Sequence, residues 1–278
     1  MSYADEVYFK NLKQIMRSSS SDIGYLVRPK WKDGERAYTK SVFGLVNRYN
    51  VGEEFPILTC RKINYEKAFD EVLWIYQKAS NNIHDLNSHI WDSWADESGS
   101  IGKAYGYQMS IKHHYPEGEF TQMERVLYDL RHNPTSRRIM TNLYNHHDLS
   151  EMALAPCAYS MTFYADLNSG KLNMLLNQRS QDMIVANGWN VCQYAFLLIL
   201  IAKSCGFEAG ELVHVIANAH IYDRHLGVAR ELLNRRESFE APKVEVDDFV
   251  DFYLATPKSV VLKDYKYSDY APKFEVAV

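Results

Sequence analysis

The sequence has few of the residues that mark disulfide-stapled, zinc-binding or membrane-spanning proteins. It contains four cysteines among 278 residues, and they form neither a C-x-x-C pair nor a zinc-binding spacing. Charged residues run through segment 1–16, so we expect no signal peptide. The longest apolar run, 191–202, is too short to cross a bilayer and contains Gln193. These absences predict a cytoplasmic protein whose cysteines are free thiols.

The sequence also lacks an excess of positive charge. It has 31 basic and 35 acidic side chains, which give a formal net charge of −4. Proteins that bind nucleic acid generally carry a basic excess, so the composition argues against general nucleic-acid binding and leaves room for a small local phosphate site. Repeats, low-complexity tracts and long linkers are absent as well, which favours one domain over residues 1–278.

The sequence does contain enough apolar and aromatic residues for a sizeable core, since 46% of the chain is hydrophobic. Segments of helical period alternate irregularly with strand-like segments, which predicts an α+β fold with a large mixed or antiparallel sheet flanked by helices. "NSG" at 168–170 predicts a hairpin turn. The predicted helices are 3–16, 65–79, 121–132, 191–204 and 224–236, and the predicted strands are 136–145, 157–167, 170–180, 211–222 and 259–267.

Several polar residues have two interpretations when each is taken alone. Cys157 lies in the apolar stretch "MALAPCAYS", which is typical of a buried, inert thiol. Arg137 and Arg138 stand side by side at the start of a predicted strand. They fit either a solvated surface pair or a clamp for an anion. Asn190 at a helix start fits an ordinary N-cap, and Arg179 fits a surface ion pair.

Histidines are concentrated in "HVIANAHIYDRH", which carries His214, His220, Tyr222 and His225. Alternate residues of a strand share one face, so His220 and Tyr222 are predicted to point the same way. The spacing lacks H-E-x-x-H, and no cluster of acidic ligands accompanies it. We therefore expect no metal.

The order of these motifs resembles the thymidylate synthase family. The family's A-P-C, Q-R-S-x-D, N-x-x-x-Y-A and H-x-Y motifs match "APC" at 155–157, "QRSQD" at 178–182, "NVCQYA" at 190–195 and "HIY" at 220–222. The resemblance covers nearly the whole chain, from "VRPKW" through "EVLW" and "SRR" to the terminal "FEVAV". It implies that family's fold, in which the sheets of two chains pack back to back in a homodimer.

The resemblance implies dUMP as the substrate. Its phosphate would be held by Arg28, Arg179 and Ser180, together with Arg137 and Arg138 of the partner, since guanidinium groups suit phosphate oxygens. The Asn190 amide would recognise O4 and N3–H, a pairing that favours uracil over cytosine. His220 and Tyr222 would bind the sugar 3′-hydroxyl.

The resemblance also implies the chemistry. Cys157 would attack C6 of the pyrimidine, with Arg179 stabilising the thiolate. Glu71 would be the general acid–base group, and Tyr105 would belong to its polar network. The co-substrate 5,10-methylenetetrahydrofolate would donate the one-carbon unit and then hydride, giving dTMP. Its implied contacts are Arg61, Trp91, Trp94 and Asp182, with the carboxylate of Val278 closing a lid.

The chain departs from the family pattern around the pyrimidine and the folate, which keeps a second reaction open. Nucleotide hydroxymethylases share the first half of the reaction and then add water instead of hydride. Trp91, Leu154 and the terminal "EVAV" favour exclusion of water and hence methylation, whereas Ala158 and the altered 185–189 loop favour hydroxymethylation. A relative that only binds nucleotide would be expected to lack the nucleophile or the base. The departures are Asn177 for Tyr, Ala158 for His, Arg61 for Lys, Ala186, Gly188 and Trp189 for Gly, Pro and Phe, and Ala217 and Asn218 for Gly and Asp.

Overall fold

The computed structural model describes residues 1–247 and 251–278. Local signals set several helix ends: Thr121 and Glu124, for example, form a capping box at the start of one helix. The helices are α1 (Tyr3–Arg17), α2 (Tyr65–Tyr76), α3 (Gly106–Ser110), α4 (Gln122–His132), α5 (Asn187–Ser204) and α6 (Leu226–Arg235). The strands are β1 (Thr39–Asn50), β2 (His113–Tyr115), β3 (Gly118–Phe120), β4 (Met140–Asn142), β5 (Ala158–Asp166), β6 (Lys171–Asp182), β7 (Glu208–Tyr222), β8 (Lys243–Val246) and β9 (Val260–Lys263).

The main sheet has five strands in the order β1-β7-β6-β5-β4. β6 and β7 are parallel and are joined through α5, while the other neighbours are antiparallel. The pairs β2–β3 and β8–β9 form separate two-stranded sheets. This arrangement confirms the predicted α+β fold with a mixed sheet flanked by helices.

The core lies between one face of the sheet and the helices. α5 is apolar on all sides and almost entirely buried, as expected for a helix with neighbours all around it. It packs on α2, where Phe69 and Phe196 stack with ring centroids 3.9 Å apart. In the described part of the chain, no helix is long and apolar enough to span a membrane.

The opposite face of the sheet is left without a covering layer. Phe43, Val46, Met140 and Tyr164 stand on it with between 50 and 88% of their surface exposed. Met140 pairs with Thr162, two residues before Tyr164 on β5, so Met140 and Tyr164 share a face, and Val46 pairs with Val215 at the other end of the sheet. An apolar sheet face of this kind is typical of an interface.

Most predicted elements are present, with corrections at their ends. The hairpin β5–β6 is confirmed, and Gly170 takes a φ of +68° in its turn. The predicted strand 136–145 is shorter, so Arg137 and Arg138 lie in a turn before β4 rather than in a strand. α5 begins at Asn187 with Ala186 as its N-cap, so Asn190 lies inside the first turn and does not cap the helix.

Candidate active site

Cys157 lies immediately before β5, where β6 positions an arginine beside it. The backbone N–H of Arg179 donates to the Cys157 carbonyl at 2.9 Å, which fixes the two strands in register. The Arg179 guanidinium donates to the carbonyls of Ala155 and Pro156 at 2.7 and 2.9 Å. Its Nη2 lies 3.8 Å from the Cys157 sulfur. The "APC" segment therefore holds the guanidinium against the thiol by its own backbone.

The surroundings of Cys157 differ from those of a structural thiol. Cys60 and Cys192 are buried, whereas Cys157 and Cys205 are partly accessible, and the Cys157 sulfur has the Arg179 guanidinium beside it. Burial raises the pKa of the Cys157 thiol, and the positive charge of Arg179, a hydrogen bond with Tyr105 and the charge of Arg28 act in the opposite direction. Arg28, which contributes last among these causes, lies in an exposed loop.

Tyr105 is held next to Cys157 by an unusual backbone conformation. Its φ is +42°, a region that costs a side-chain-bearing residue free energy, of the order of 1–3 kcal/mol. A Cβ on the following Gly106 would overlap the Ser80 carbonyl oxygen, so the backbone at Gly106 lies very close to the backbone at Ser80. The Tyr105 hydroxyl accepts a hydrogen bond from the Cys157 N–H at 3.0 Å. Burial raises the pKa of Tyr105, which keeps the phenol neutral.

Glu71 projects from α2 into a buried pocket of hydrogen-bond donors. Trp91 donates to its Oε1 at 2.7 Å, and Trp189 and Gln193 each donate to its Oε2 at 2.5 Å. Burial nevertheless raises the pKa of Glu71, because the loss of water outweighs the three donors. Trp91 also contacts Tyr105, with ring centroids 5.2 Å apart, which joins the Glu71 pocket to the Cys157 pocket.

Asn190 is oriented by three glutamine side chains. Its Oδ1 accepts from Gln178 at 3.3 Å and from Gln181 at 3.1 Å, and its Nδ2 donates to Gln193 at 2.9 Å. Gln178 is oriented in turn by His214, whose Nε2 lies 2.7 Å from the Gln178 amide oxygen. The amide of Asn190 therefore has a fixed orientation, with Oδ1 and Nδ2 distinguished by their partners.

The parallel pair of strands places further candidates side by side. Ser180 pairs with Asn218, and Asp182 pairs with His220, near the ends of β6 and β7. His220 contacts Tyr222 with ring centroids 5.1 Å apart, in agreement with the shared face predicted for them. The His220 Nδ1 lies 2.9 Å from the Asn218 amide oxygen, so Asn218 orients this ring.

Arg137 and Arg138 are separate from this group. Both side chains are exposed in the turn before β4. Within residues 1–247 and 251–278, neither guanidinium makes an ion pair. Their assignment to a neighbouring chain's phosphate site stays a prediction.

The candidate folate residues fall into two environments. Trp91 and Trp94 are adjacent, with ring centroids 5.6 Å apart. Asp182 accepts two backbone N–H groups on Oδ1, from Ile184 and Val185. Arg61 is instead buried and donates to the Ile184 carbonyl at 2.6 Å, so its guanidinium is engaged inside the fold.

Val278 is fixed by backbone pairing. Its N–H donates to the Lys30 carbonyl at 3.0 Å, and its own carbonyl accepts from the Lys30 N–H at 2.8 Å. The chain end therefore lies against the loop that follows Arg28. Across the described residues, no group of three or more His, Cys, Asp or Glu side chains is arranged to hold a metal ion.

Three of the side chains that help to orient Glu71 and Asn190, namely Trp189, Gln193 and His214, are not among the predicted site residues. Gln193 and His214 were visible as polar residues in otherwise apolar segments, a pattern that predicts buried hydrogen bonding but not its partners. Trp189 was visible as a departure from the family pattern. The contact between its indole N–H and Glu71 depends on how α2 and α5 pack, which a linear pattern does not contain.

Comparison with known proteins agrees with this geometry. The family model described as thymidylate synthase matches residues 6–278. The thymidylate synthase of Bacillus licheniformis is 41% identical over 284 aligned residues, and that of Bacillus phage phi3T is 40% identical over 284, each match covering 100% of both chains. The solved structure of thermostable thymidylate synthase A from Bacillus subtilis superposes with a TM-score of 0.93 at 38% identity, again over 100% of both chains. The prediction made from the motifs is confirmed, and the chain belongs to the thymidylate synthase family.

Proposed function

We propose that this protein is a thymidylate synthase that converts dUMP to dTMP, with 5,10-methylenetetrahydrofolate as the donor of the one-carbon unit and of hydride. The observation that carries the proposal is the joined pocket of Cys157 and Glu71. A partly accessible thiol lies 3.8 Å from an arginine, and a buried carboxylate lies beyond one shared tryptophan. This pairing provides a nucleophile and a proton-exchanging group for one small ring.

Cys157 acts as the nucleophile. The thiol first releases its proton to solvent, the thiolate sulfur then forms a bond to C6 of the pyrimidine, and the electrons of the C5–C6 double bond move toward C5 and O4. The charges of Arg179 and Arg28 favour the thiolate against the effect of burial. The Tyr105 hydroxyl, bonded to the Cys157 N–H, holds the backbone of the nucleophile in place.

Asn190 recognises the pyrimidine edge. With its amide orientation fixed by glutamines, Nδ2 has one remaining N–H for O4, and Oδ1 would accept N3–H in place of one of its two glutamine donors, Gln178 and Gln181. Cytosine presents the opposite pattern at these positions, so the fixed amide favours dUMP over dCMP. Arg28, Arg179 and Ser180 would bind the phosphate, and His220 and Tyr222 the 3′-hydroxyl.

Glu71 exchanges protons at O4 and C5. A carboxyl group whose pKa is raised by burial gives and takes a proton more readily near neutral pH than an exposed one. When bound, 5,10-methylenetetrahydrofolate supplies the carbon and the hydride. Trp94 and Asp182 fit such a group beside the buried Trp91, since the partly exposed Trp94 indole offers flat apolar surface and the backbone donors to Asp182 occupy Oδ1 rather than Oδ2.

The functional unit that we propose is a homodimer. The uncovered sheet face, with Phe43, Val46, Met140 and Tyr164, supplies an apolar surface for a second copy packed back to back. The side chains of Arg137 and Arg138, exposed and without an ion pair among the described residues, are then available to the phosphate site of the other chain. We propose that each active site is completed in this way.

Product analysis tests the proposed reaction. The protein is incubated with dUMP and 5,10-methylenetetrahydrofolate, and both products are identified. dTMP together with dihydrofolate is the expected result. 5-Hydroxymethyl-dUMP together with tetrahydrofolate would contradict the proposal and identify a hydroxymethylase. dCMP added in competition should inhibit weakly, because the fixed Asn190 amide does not match its edge.

A further inference from the structure

The two oxygens of Glu71 have unequal surroundings. Oε1 accepts one hydrogen bond, from the Trp91 indole at 2.7 Å. Oε2 accepts two, from Trp189 and Gln193, each at 2.5 Å. A proton on Oε2 would have to displace one of these donors, whereas Oε1 keeps a lone pair free. The carboxylate is therefore asymmetric before any substrate binds.

The orientation of the Gln193 amide is determined by its neighbour. Its Oε1 accepts from Asn190 Nδ2 at 2.9 Å, so its Nε2 must face Glu71. The hydrogen bonds thus run in one direction, from Asn190 through Gln193 to Glu71. Gln193 is 3% exposed and Glu71 7% exposed, so water does not compete strongly with this chain.

We propose that Trp189 and Gln193 are positioning residues that direct proton exchange to Oε1 of Glu71, and that Gln193 couples this carboxylate to the pyrimidine-recognising Asn190. The proposal deepens the proposed function and rests on it for the roles of Glu71 and Asn190. Trp189 acts through its indole N–H, which donates to Glu71. A phenyl ring at this position would fill the same space but could not donate a hydrogen bond. Gln193 acts on both ends, as the donor to Glu71 and the acceptor from Asn190.

Removing either donor has a defined consequence. The Glu71 anion loses a hydrogen bond in a buried site, so the carboxyl group retains its proton to higher pH. Turnover should fall about tenfold, the effect of one lost hydrogen bond to a charged group. Loss of the Gln193 acceptor also frees the Asn190 amide, which should raise the KM for dUMP. Loss of the Trp189 donor leaves that amide in place.

The test compares Trp189→Phe and Gln193→Met with the wild type, and uses Tyr76→Phe as a matched control. Tyr76 is a buried residue of the same helix as Glu71, and its hydroxyl bonds to Tyr194 rather than to Glu71. Two readouts are needed: kcat and the KM for dUMP as functions of pH, and the infrared band of the protonated Glu71 carboxyl in substrate-free protein, identified by its loss in Glu71→Gln.

Both variants should keep the carboxyl band to higher pH than the wild type, and both should show the tenfold loss in kcat with its pH profile moved in the same direction. Only Gln193→Met should also raise the KM for dUMP, and Tyr76→Phe should change neither readout. An unchanged band and pH profile in Trp189→Phe, which keeps an aromatic ring and so the packing, would overturn the inference. An equal change in Tyr76→Phe would overturn it too. The infrared titration needs no turnover, so failure of the synthase reaction alone would be recognised separately.

Discussion

At the scale of single residues, Cys157 is distinguished by its neighbours rather than by its own segment. We expect Cys157→Ser to abolish dTMP formation while calorimetry still detects dUMP binding, because a serine hydroxyl is far less acidic and nucleophilic than a thiol. Cys205→Ser is the matched control, since burial raises the pKa of that thiol to about 11 and nothing in the proposed mechanism touches it. Undiminished turnover in Cys157→Ser would contradict the mechanism.

His214 makes stability depend on pH. Complete burial lowers the pKa of His214 from 6.5 to about 3. Below pH 6.5 His214 binds a proton in the unfolded chain but stays neutral in the folded chain. The free energy of unfolding should therefore fall as the pH is lowered from 6.5 toward 3, with a slope of up to about 1.4 kcal/mol per pH unit from this group.

Urea unfolding at a series of pH values, at one protein concentration, measures this slope. His214→Gln keeps a donor for Gln178 but does not titrate, so its stability should change less over the same interval. Equal slopes for the two proteins would show that His214 does not contribute.

The motifs predict candidate site residues, and the structure adds how those residues are arranged. Cys157, Arg179 and Tyr105 are found together as the motifs implied, and Arg28 acts on the same thiol. The partners of Asn190 were not predictable, because a buried amide takes whichever groups the packed helices and strands bring to it. Arg61, predicted to contact the folate, donates to a backbone carbonyl inside the fold, and its contact with the folate stays a prediction.

At the scale of elements, the start of α3 combines strain with close packing. We expect Gly106→Ala to destabilise the protein by about 1–3 kcal/mol, because the added methyl group overlaps the Ser80 carbonyl. It should also reduce turnover, because Tyr105 precedes it and holds the backbone of Cys157. Thermal unfolding and dTMP formation measure the two effects.

Gly227 in α6 provides the control for that substitution. A Cβ there meets open space, and its backbone is helical. Gly227→Ala should therefore leave turnover unchanged and stabilise the protein by up to about 1 kcal/mol. Similar losses in both variants would mean that the close approach at Gly106 has no special effect.

Element prediction succeeded where one face of a segment is uniformly apolar and failed where it is not. α1, α2 and α4 were predicted nearly to their ends because their apolar residues follow the helical period. β1 was missed because its buried positions include the polar Asn47, bonded to Asn11, and because Gly44 with a φ of +77° interrupts it. Tertiary pairing with β7, rather than local preference, makes this segment a strand.

At the scale of the whole molecule, the proposed dimer predicts complementation between inactive chains. Cys157→Ser and the double variant Arg137→Ala/Arg138→Ala should each be inactive alone. After unfolding and refolding together in equal amounts, about half of the dimers are mixed and each contains one intact site, so activity should return to about a quarter of the wild-type value. Rates of dTMP formation measure it.

A second mixture serves as the control. Cys157→Ser and Glu71→Gln both damage the site within their own chain, so a mixed dimer has no intact site and should stay inactive. Equal recovery in the two mixtures, or none in the first, would contradict the contribution of Arg137 and Arg138 across the interface. That residues 1–278 fold as one domain stays a prediction.

The parallel pairing of β6 with β7 also determines when the site can form during folding. A tight turn cannot join parallel strands, so they pair only after the intervening helix has crossed the sheet. Ser180 and Asp182 meet Asn218 and His220 only in that pairing, and α5, which makes the crossing, carries Asn190 and Gln193. A chain that has formed only the β5–β6 hairpin has therefore assembled Cys157 and Arg179 but not the nucleotide site, and we expect nucleotide binding to appear in one late kinetic step.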